Sequence, residues 1–224
     1  MPFGFIGLKS VESDFGIKKL GDESFYSQYR QDMFLRFFLF PQKNDGIFID
    51  IGGNHPVTIN NTYYFEQIGW TGLAFEPVKK NNALWGKTRK TECLPIALGN
   101  KETEMEFVEY EDDVMSGFKN SVDYKGSVKD TYMVKVRPLK SVLLERNIQH
   151  VDFMSIDVEG GEMDVLEGID FETLDIYCIL IENNKGSKKA KKVRQYLIGK
   201  GYFLFGRLWL DDVWIKRSDR VFEI

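Results

Sequence analysis

Residues that usually advertise redox or metal chemistry are scarce in this chain, which has two cysteines and two histidines among 224 residues. Cys93 and Cys178 each lie inside an apolar run, TECLPIAL and IYCILIE, where a thiol packs as a small hydrophobe; nothing in their spacing points to a disulfide or a metal pair. No apolar stretch approaches the roughly eighteen residues of a membrane span, and the first residues lack a basic region followed by an apolar run, so a soluble, cytoplasmic protein is expected. Basic charge is not in excess either. Thirty Lys and Arg face 34 Asp and Glu, a net charge of -4, which disfavours a nucleic-acid binder held by phosphate neutralisation. Internal repeats are absent, and the one biased tract is the lysine-rich KGSKKAKK at 185–192, read as a solvated helix face with attraction of a substrate phosphate as the functional alternative.

What is present is an alternation of short apolar runs with amphipathic stretches, the pattern of a parallel sheet with crossover helices. The expected strands are GIFIDI, TGLAFE, TECLPIAL, VDFMSIDV and IYCILIE, followed by GYFLFGR and DVWIKR as an antiparallel pair at the edge. Expected helices include SQYRQDMFLRFFLF, capped by Ser27, and NTYYFEQIG, capped by Asn61 or Thr62. The domain plan is an N-terminal lead over 1–26 and one domain over 27–224, interrupted at about 102–138 by an insertion read as two strands around a polar loop above the ligand-binding edge. A hydrophobic fraction of 43% suits such a single domain.

The stretch FIDIGGNHP carries the strongest signal. A strand that runs into an acid and glycines, ahead of a helix, brings backbone close to a nucleotide at the carboxyl edge of a sheet. Gly52 and Gly53 permit that approach, and Asn54 tolerates a left-handed conformation. The dinucleotide pattern G-x-G-x-x-G is missing, as is a phosphate-cradling P-loop, and Asp50 ahead of the glycines suits an ammonium group rather than a pyrophosphate. Glu76, with Pro77 after it, ends the second strand where a carboxylate reaches both ribose hydroxyls. A cationic amino-acid end plus a ribose indicate S-adenosylmethionine, although strand-end acids also cap helices.

The same edge gathers Asp157 and Glu159 after the fourth strand and Glu182, Asn183 and Asn184 after the fifth, oxygen donors of the kind Mg²⁺ or Mn²⁺ prefers. His55 either takes a proton from an acceptor or fixes its loop, Glu159 is the other base candidate, and Glu162 suits the N-terminus of the following helix. His150 is read as structural. Tyr63, Tyr64, Phe65 and Trp70 follow core spacing, while Trp209 and Trp214 either wall an acceptor pocket or pack an edge hairpin.

FIDIGGNHPVTINNTYYFEQIGWTGLAFEP, PIALGN and FMSIDVEGGEMDVLEGID together resemble the FkbM family of S-adenosylmethionine-dependent methyltransferases, with similarity from about Ser27 to near Lys216. The resemblance implies a Rossmann-like α/β fold with a seven-stranded sheet of order 3-2-1-4-5-7-6, helices on both faces and an antiparallel last strand. It implies that Asp50, Gly52 and Asn54 form the first cofactor motif, that Glu76 binds ribose and that Ala97 lies beside adenine. The common methyltransferase pattern has glycine where this chain has Asn54 and Pro56. The strand ends are also similar to the metal site of catechol O-methyltransferases, which assigns Asp157, Glu182 and Asn183 as ligands. The activity implied is O-methylation of a sugar, nucleotide-sugar or glycan precursor. Rivals are a small natural product or amine as acceptor, a non-catalytic nucleotide-binding module and, more distantly, a nicotinamide oxidoreductase.

Overall fold

A computed structural model describes residues 18–112, 115–118, 125–183 and 188–217. A hairpin of β1 (Lys18–Leu20) and β2 (Glu23–Phe25) leads to α1 (Gln31–Phe34), which passes into a π-helical turn at Leu35–Leu39. There follow β3 (Ile47–Ile51), α2 (Tyr63–Gln67), β4 (Thr71–Phe75), α3 (Lys79–Thr88), β5 (Glu92–Leu94), β6 (Ala97–Leu98), β7 (Thr103–Tyr110), β8 (Gly117–Phe118) and β9 (Val128–Arg137). The chain continues through α4 (Leu139–Glu145), β10 (His150–Ile156), α5 (Glu162–Glu167), β11 (Asp175–Glu182), α6 (Lys188–Gly199), β12 (Tyr202–Leu208) and β13 (Asp211–Lys216).

Seven strands make one mixed sheet in the order β12-β13-β11-β10-β3-β4-β5. Its central members β11, β10, β3, β4 and β5 pair in parallel, and β13 runs antiparallel to both β11 and β12. The two-residue period of a strand explains why these segments are apolar throughout, because alternate side chains serve opposite faces. Ile49, Ile51, Met154, Ile156, Ile179 and Ile181 enter an aliphatic core with residues of α4, α5 and α6. Phe48, Phe153, Cys178 and Leu180 enter a second core dominated by Phe40, Phe65 and Trp70. Each large side chain sealed this way contributes about 1.5–3 kcal/mol relative to exposure. The aromatic expectation holds for Tyr64, Phe65 and Trp70, all in this second core, and Cys178 is likewise a buried free thiol.

Three local expectations are corrected. TECLPIAL is not one strand: β5 ends at Leu94, and Ala97–Leu98 pair with β9 in a separate four-stranded sheet, β6-β9-β7-β8. Pro95 between them has no N–H to give to a ladder, so the chain leaves the first sheet there. The helix expected from Ser27 begins only at Gln31. Ser27 Oγ still accepts the Asp32 N–H (3.2 Å) in the first turn, while the Asp32 carboxylate accepts the N–H groups of Tyr26 (2.6 Å) and Ser27 (3.2 Å) and the Ser27 hydroxyl, so Ser27 serves the helix start from four residues before it. Part of the expected lead is ordered, since β1 and β2 pair and Phe25 is buried against Tyr64 at 4.6 Å. Residues 1–17 of that lead lie outside the described residues.

Among the described residues, no helix is long and apolar enough to cross a membrane. The second sheet, built from the expected insertion together with β6, lies beside the carboxyl ends of β3 and β4, its apolar face closed by Val78, Phe107 and Val134.

Candidate active site

A cavity of about 1020 Å³ opens at the carboxyl ends of β3, β4, β10 and β11, with residues of the second sheet forming one wall. Asp50, Glu76, Pro77, Ala97, Asp157 and Glu182 all line it. Residues far apart in the chain converge there because parallel strands end on one edge.

The loop after β3 is built by close contacts. Gly52 has φ 78, and a Cβ on it would stand 1.7 Å from the Asp157 carbonyl oxygen; on Gly53 it would stand 2.7 Å from the Trp85 ring. No other residue fits either place. Asn54 (φ 39) adopts the left-handed conformation, donates its N–H to Glu76 Oε2 at 2.7 Å and accepts the Trp85 indole N–H at 2.9 Å. Glu76 Oε1 accepts the Val78 N–H at 2.6 Å, so both carboxylate oxygens are oriented by backbone donors at the cavity edge.

Asp50 is held more deeply than an open ammonium anchor. Its Oδ2 accepts the Thr62 hydroxyl at 2.7 Å and the Asn60 amide at 3.1 Å. Burial pushes its carboxyl up, opposed by the Thr62 hydrogen bond, the Arg89 charge and the Asn60 hydrogen bond. Arg89, 7% exposed, donates to Glu66 (2.9 Å) and to the Pro56 carbonyl (2.8 Å), and its guanidinium lies 4.4 Å from the Trp85 ring. The cap of α2 also differs from expectation. Asn60 Oδ1 accepts the Thr62 and Tyr63 N–H groups, while the Thr62 hydroxyl serves Asp50. Asn60 and Arg89 were missed in the sequence. Arg89 sits in KTRKT, where nothing in the residue types sets it apart, and only its spatial neighbours reveal its role.

His55 accepts the N–H groups of Val57 (3.1 Å) and Thr58 (2.9 Å) at Nδ1, which puts the ring proton on Nε2. Of the two roles open to it, the geometry supports fixing the loop. His150 lies at the start of β10, between Asp175 (2.9 Å) and Asp152 (3.2 Å).

Across the cavity, Asp157, Glu159 and Glu182 bring one carboxylate oxygen each within 4.8 Å of one another. Asp157 follows β10, its N–H donating to the Ile51 carbonyl at 2.9 Å, and Glu159 is set by a left-handed φ of 50. The side chain of Asp157 is open to the cavity, yet protein surrounds it. That enclosure, with the charges of Glu182, Glu159, Asp211 and Glu162, pushes its carboxyl well above the usual range. Burial, Glu162 and Asp112 push Glu159 up to about 7. Glu162 itself accepts the Gly160 N–H at 2.8 Å at the start of α5, as its helix-terminal reading expects.

Asn183 does not join this group. Glu182 and Asn183 are consecutive in an extended segment and face opposite sides; Asn183, 3% exposed, donates to Asp212 Oδ2 at 2.6 Å. The third member of the group is Glu159, from the segment after β10. Asn184 and residues 185–187 of the lysine-rich tract lie outside the described residues, and Lys189 donates to the Gly160 carbonyl at 3.4 Å. Trp214 is a core residue, 1% exposed, whereas Trp209 is exposed.

A family model described as "Methyltransferase FkbM domain" matches residues 50–204. No curated protein matches the chain. Among solved structures, the chain is similar to a protein assigned as an RNA methyltransferase from Pyrococcus horikoshii, with 9% identity, 85% of this chain and 84% of that chain covered, and a TM-score of 0.44.

Proposed function

The chain belongs to the FkbM methyltransferase family and is an S-adenosylmethionine-dependent methyltransferase, and from that premise we propose that it methylates a hydroxyl of a sugar or glycan precursor. The observation that carries this reading is one cavity joining the Asp50–Asn54 loop and Glu76 to the Asp157, Glu159 and Glu182 carboxylates. The first set suits a cofactor and the second an acceptor. In this reading Glu76 takes the ribose hydroxyls, with Pro77 and Ala97 beside the adenine. Gly52 and Gly53 allow the loop backbone to approach the methionine portion, and Asp50 supplies negative charge beneath its ammonium.

S-adenosylmethionine supplies the methyl group on its sulfonium. The acceptor oxygen attacks that carbon in line, the C–S bond breaks toward sulfur to give S-adenosylhomocysteine, and the hydroxyl proton leaves to a base. The protein's part is to align the oxygen and hold a place for that proton. Glu159 is the base in this reading: a carboxyl near 7 is partly ionised at neutral pH and well matched to proton transfer.

A second reading rests on the donor set. Three carboxylates converging within 4.8 Å fit a hard divalent cation such as Mg²⁺ or Mn²⁺. Asp157, Glu159 and Glu182 would hold such an ion, which would lower the pKa of an acceptor hydroxyl.

Calorimetric titration with S-adenosylhomocysteine, repeated after chelation, after Mn²⁺ addition and with NAD⁺ as control, tests both. Binding of S-adenosylhomocysteine and not NAD⁺ is expected; the reverse overturns the cofactor assignment. In an acceptor screen run with and without chelator, unchanged turnover leaves Glu159 as base, and its loss on chelation favours the cation.

A further inference from the structure

An aromatic surface that the reading above does not use lies close enough to Asp211 and Glu182 for their charges to act on Tyr29. Trp209 and Tyr29 stack with ring centroids 5.5 Å apart and planes 24° apart, and Trp209 is 56% exposed. Resting on the O-methyltransferase reading, we propose that this stack is the acceptor platform, binding the face of a neutral pyranose whose hydroxyl is thereby carried to Asp157, Glu159 and Glu182.

The platform is fixed to the catalytic end by specific bonds. Gln31, 3% exposed, accepts the Tyr29 N–H through Oε1 at 2.7 Å and donates through Nε2 to Asp211. Asp211 lies directly opposite Glu182 in the β13–β11 register. Gln28, the residue before Tyr29, lines the cavity. One side chain thus ties the ring-bearing segment to the strand that carries Glu182.

Trp209 occupies an unusual position for its size. It lies in the two-residue connection between β12 and β13 with φ 57, where glycine or asparagine is the ordinary choice. Arg207 Nε donates to the Trp209 carbonyl at 3.0 Å and holds the turn in that form. The backbone form of the turn does not call for an indole there, and much of the indole is left in water.

The surroundings select the ligand. An aromatic face attracts the polarised C–H groups of a pyranose, and carboxylates accept hydrogen bonds from its hydroxyls. Asp157, Glu159 and Glu182 converge at this end of the cavity and offer hydroxyl groups hydrogen-bond partners. The class the platform selects is therefore a neutral, hydroxyl-rich ring.

The test uses Trp209 as its own reporter. The other three tryptophans, Trp70, Trp85 and Trp214, are at most 2% exposed, so acrylamide quenching of the intact protein reads Trp209. A panel of methyl hexosides and methyl deoxyhexosides is titrated with S-adenosylhomocysteine present, alongside phenol and a uridine diphosphate sugar. Protection of Trp209 by at least one methyl glycoside is expected. Protection by none of them, or only by phenol or the sugar nucleotide, overturns the proposal. With an acceptor found, Trp209→Gly, which suits the φ of the turn, should raise the acceptor KM at least about tenfold and leave S-adenosylhomocysteine affinity within about twofold, with Trp209→Phe intermediate. An unchanged acceptor KM in Trp209→Gly also overturns it. Failure of S-adenosylhomocysteine to bind is a different result: it removes the methyltransferase reading and, with it, the premise of the platform.

Discussion

The backbone of Asp157 fixes the identity of Gly52: a Cβ on Gly52 would lie 1.7 Å from the Asp157 carbonyl oxygen. The cofactor loop and the carboxylate cluster therefore share one contact. Gly52→Ala must displace the segment after β10 and also force alanine to φ 78. Overpacking of this kind costs about 1–3 kcal/mol, and S-adenosylhomocysteine affinity should fall with it. Urea unfolding and calorimetry on the same variant measure the two effects.

Glu76 presents charge to two backbone donors, the N–H groups of Asn54 and Val78. Glu76→Gln replaces one accepting oxygen with an amide NH₂, a donor that faces another N–H. Loss of a charge-assisted bond is worth about 1.5–3 kcal/mol, so the dissociation constant for S-adenosylhomocysteine should rise at least about tenfold. An unchanged constant would remove Glu76 from the cofactor site.

Arg89 is the countercharge for the buried Asp50 and a stacking partner of Trp85. Arg89→Met leaves that charge without it, a change that typically costs about 3–5 kcal/mol. Arg89→Lys should recover little of the loss, since an ammonium cannot span Glu66, Pro56 and Asn60 as the planar fork does. Chemical denaturation of both variants decides.

The displacement of Asn183 from the carboxylate group separates two ligand sets. If a cation binds, Mn²⁺ should raise the thermal midpoint, because a ligand that binds only the folded state stabilises it in proportion to the logarithm of its concentration over Kd. Glu159→Ala should abolish that increase. Asn183→Ala should lower stability, by loss of its bond to Asp212, but retain the Mn²⁺ response.

His150 supplies a pH signature of stability. Its own burial lowers its pKa, but the hydrogen bonds and charges of Asp175 and Asp152 outweigh this, and the net shift is upward. A raised folded value means that the stabilisation is fully present below the unfolded histidine pKa of about 6.5 and is lost as pH rises through the folded value. Urea midpoints of the protein and of His150→Gln should accordingly converge between neutral and mildly alkaline pH and differ most in mild acid.

The sequence revealed the central parallel strands because burial on two faces demands a continuous apolar run, as in IFIDI and YCILI. The loop at Asp50–Asn54 was legible for a related reason: glycines and a left-handed asparagine are forced by close approach. What escaped was set by partners remote in the chain. Asn60 and Arg89 acquire meaning only around Asp50, and residue type alone does not say that Glu182 faces the cavity while Asn183 turns to Asp212. The departure of the chain at Pro95 was written in the sequence, but the apolar residues on both sides concealed it.

The two-faced sheet also divides the molecule energetically. Phe65 and Trp70 lie in the aromatic core, whereas Val165 and Leu166 lie in the aliphatic one, with the sheet between them. Truncations taken one from each side should be additive within about 0.3–0.5 kcal/mol, while pairs such as Phe65 and Trp70, whose rings are 4.7 Å apart, should show coupling in a double-mutant cycle. Variation can accumulate beneath one face of the sheet without being registered by the packing of the other.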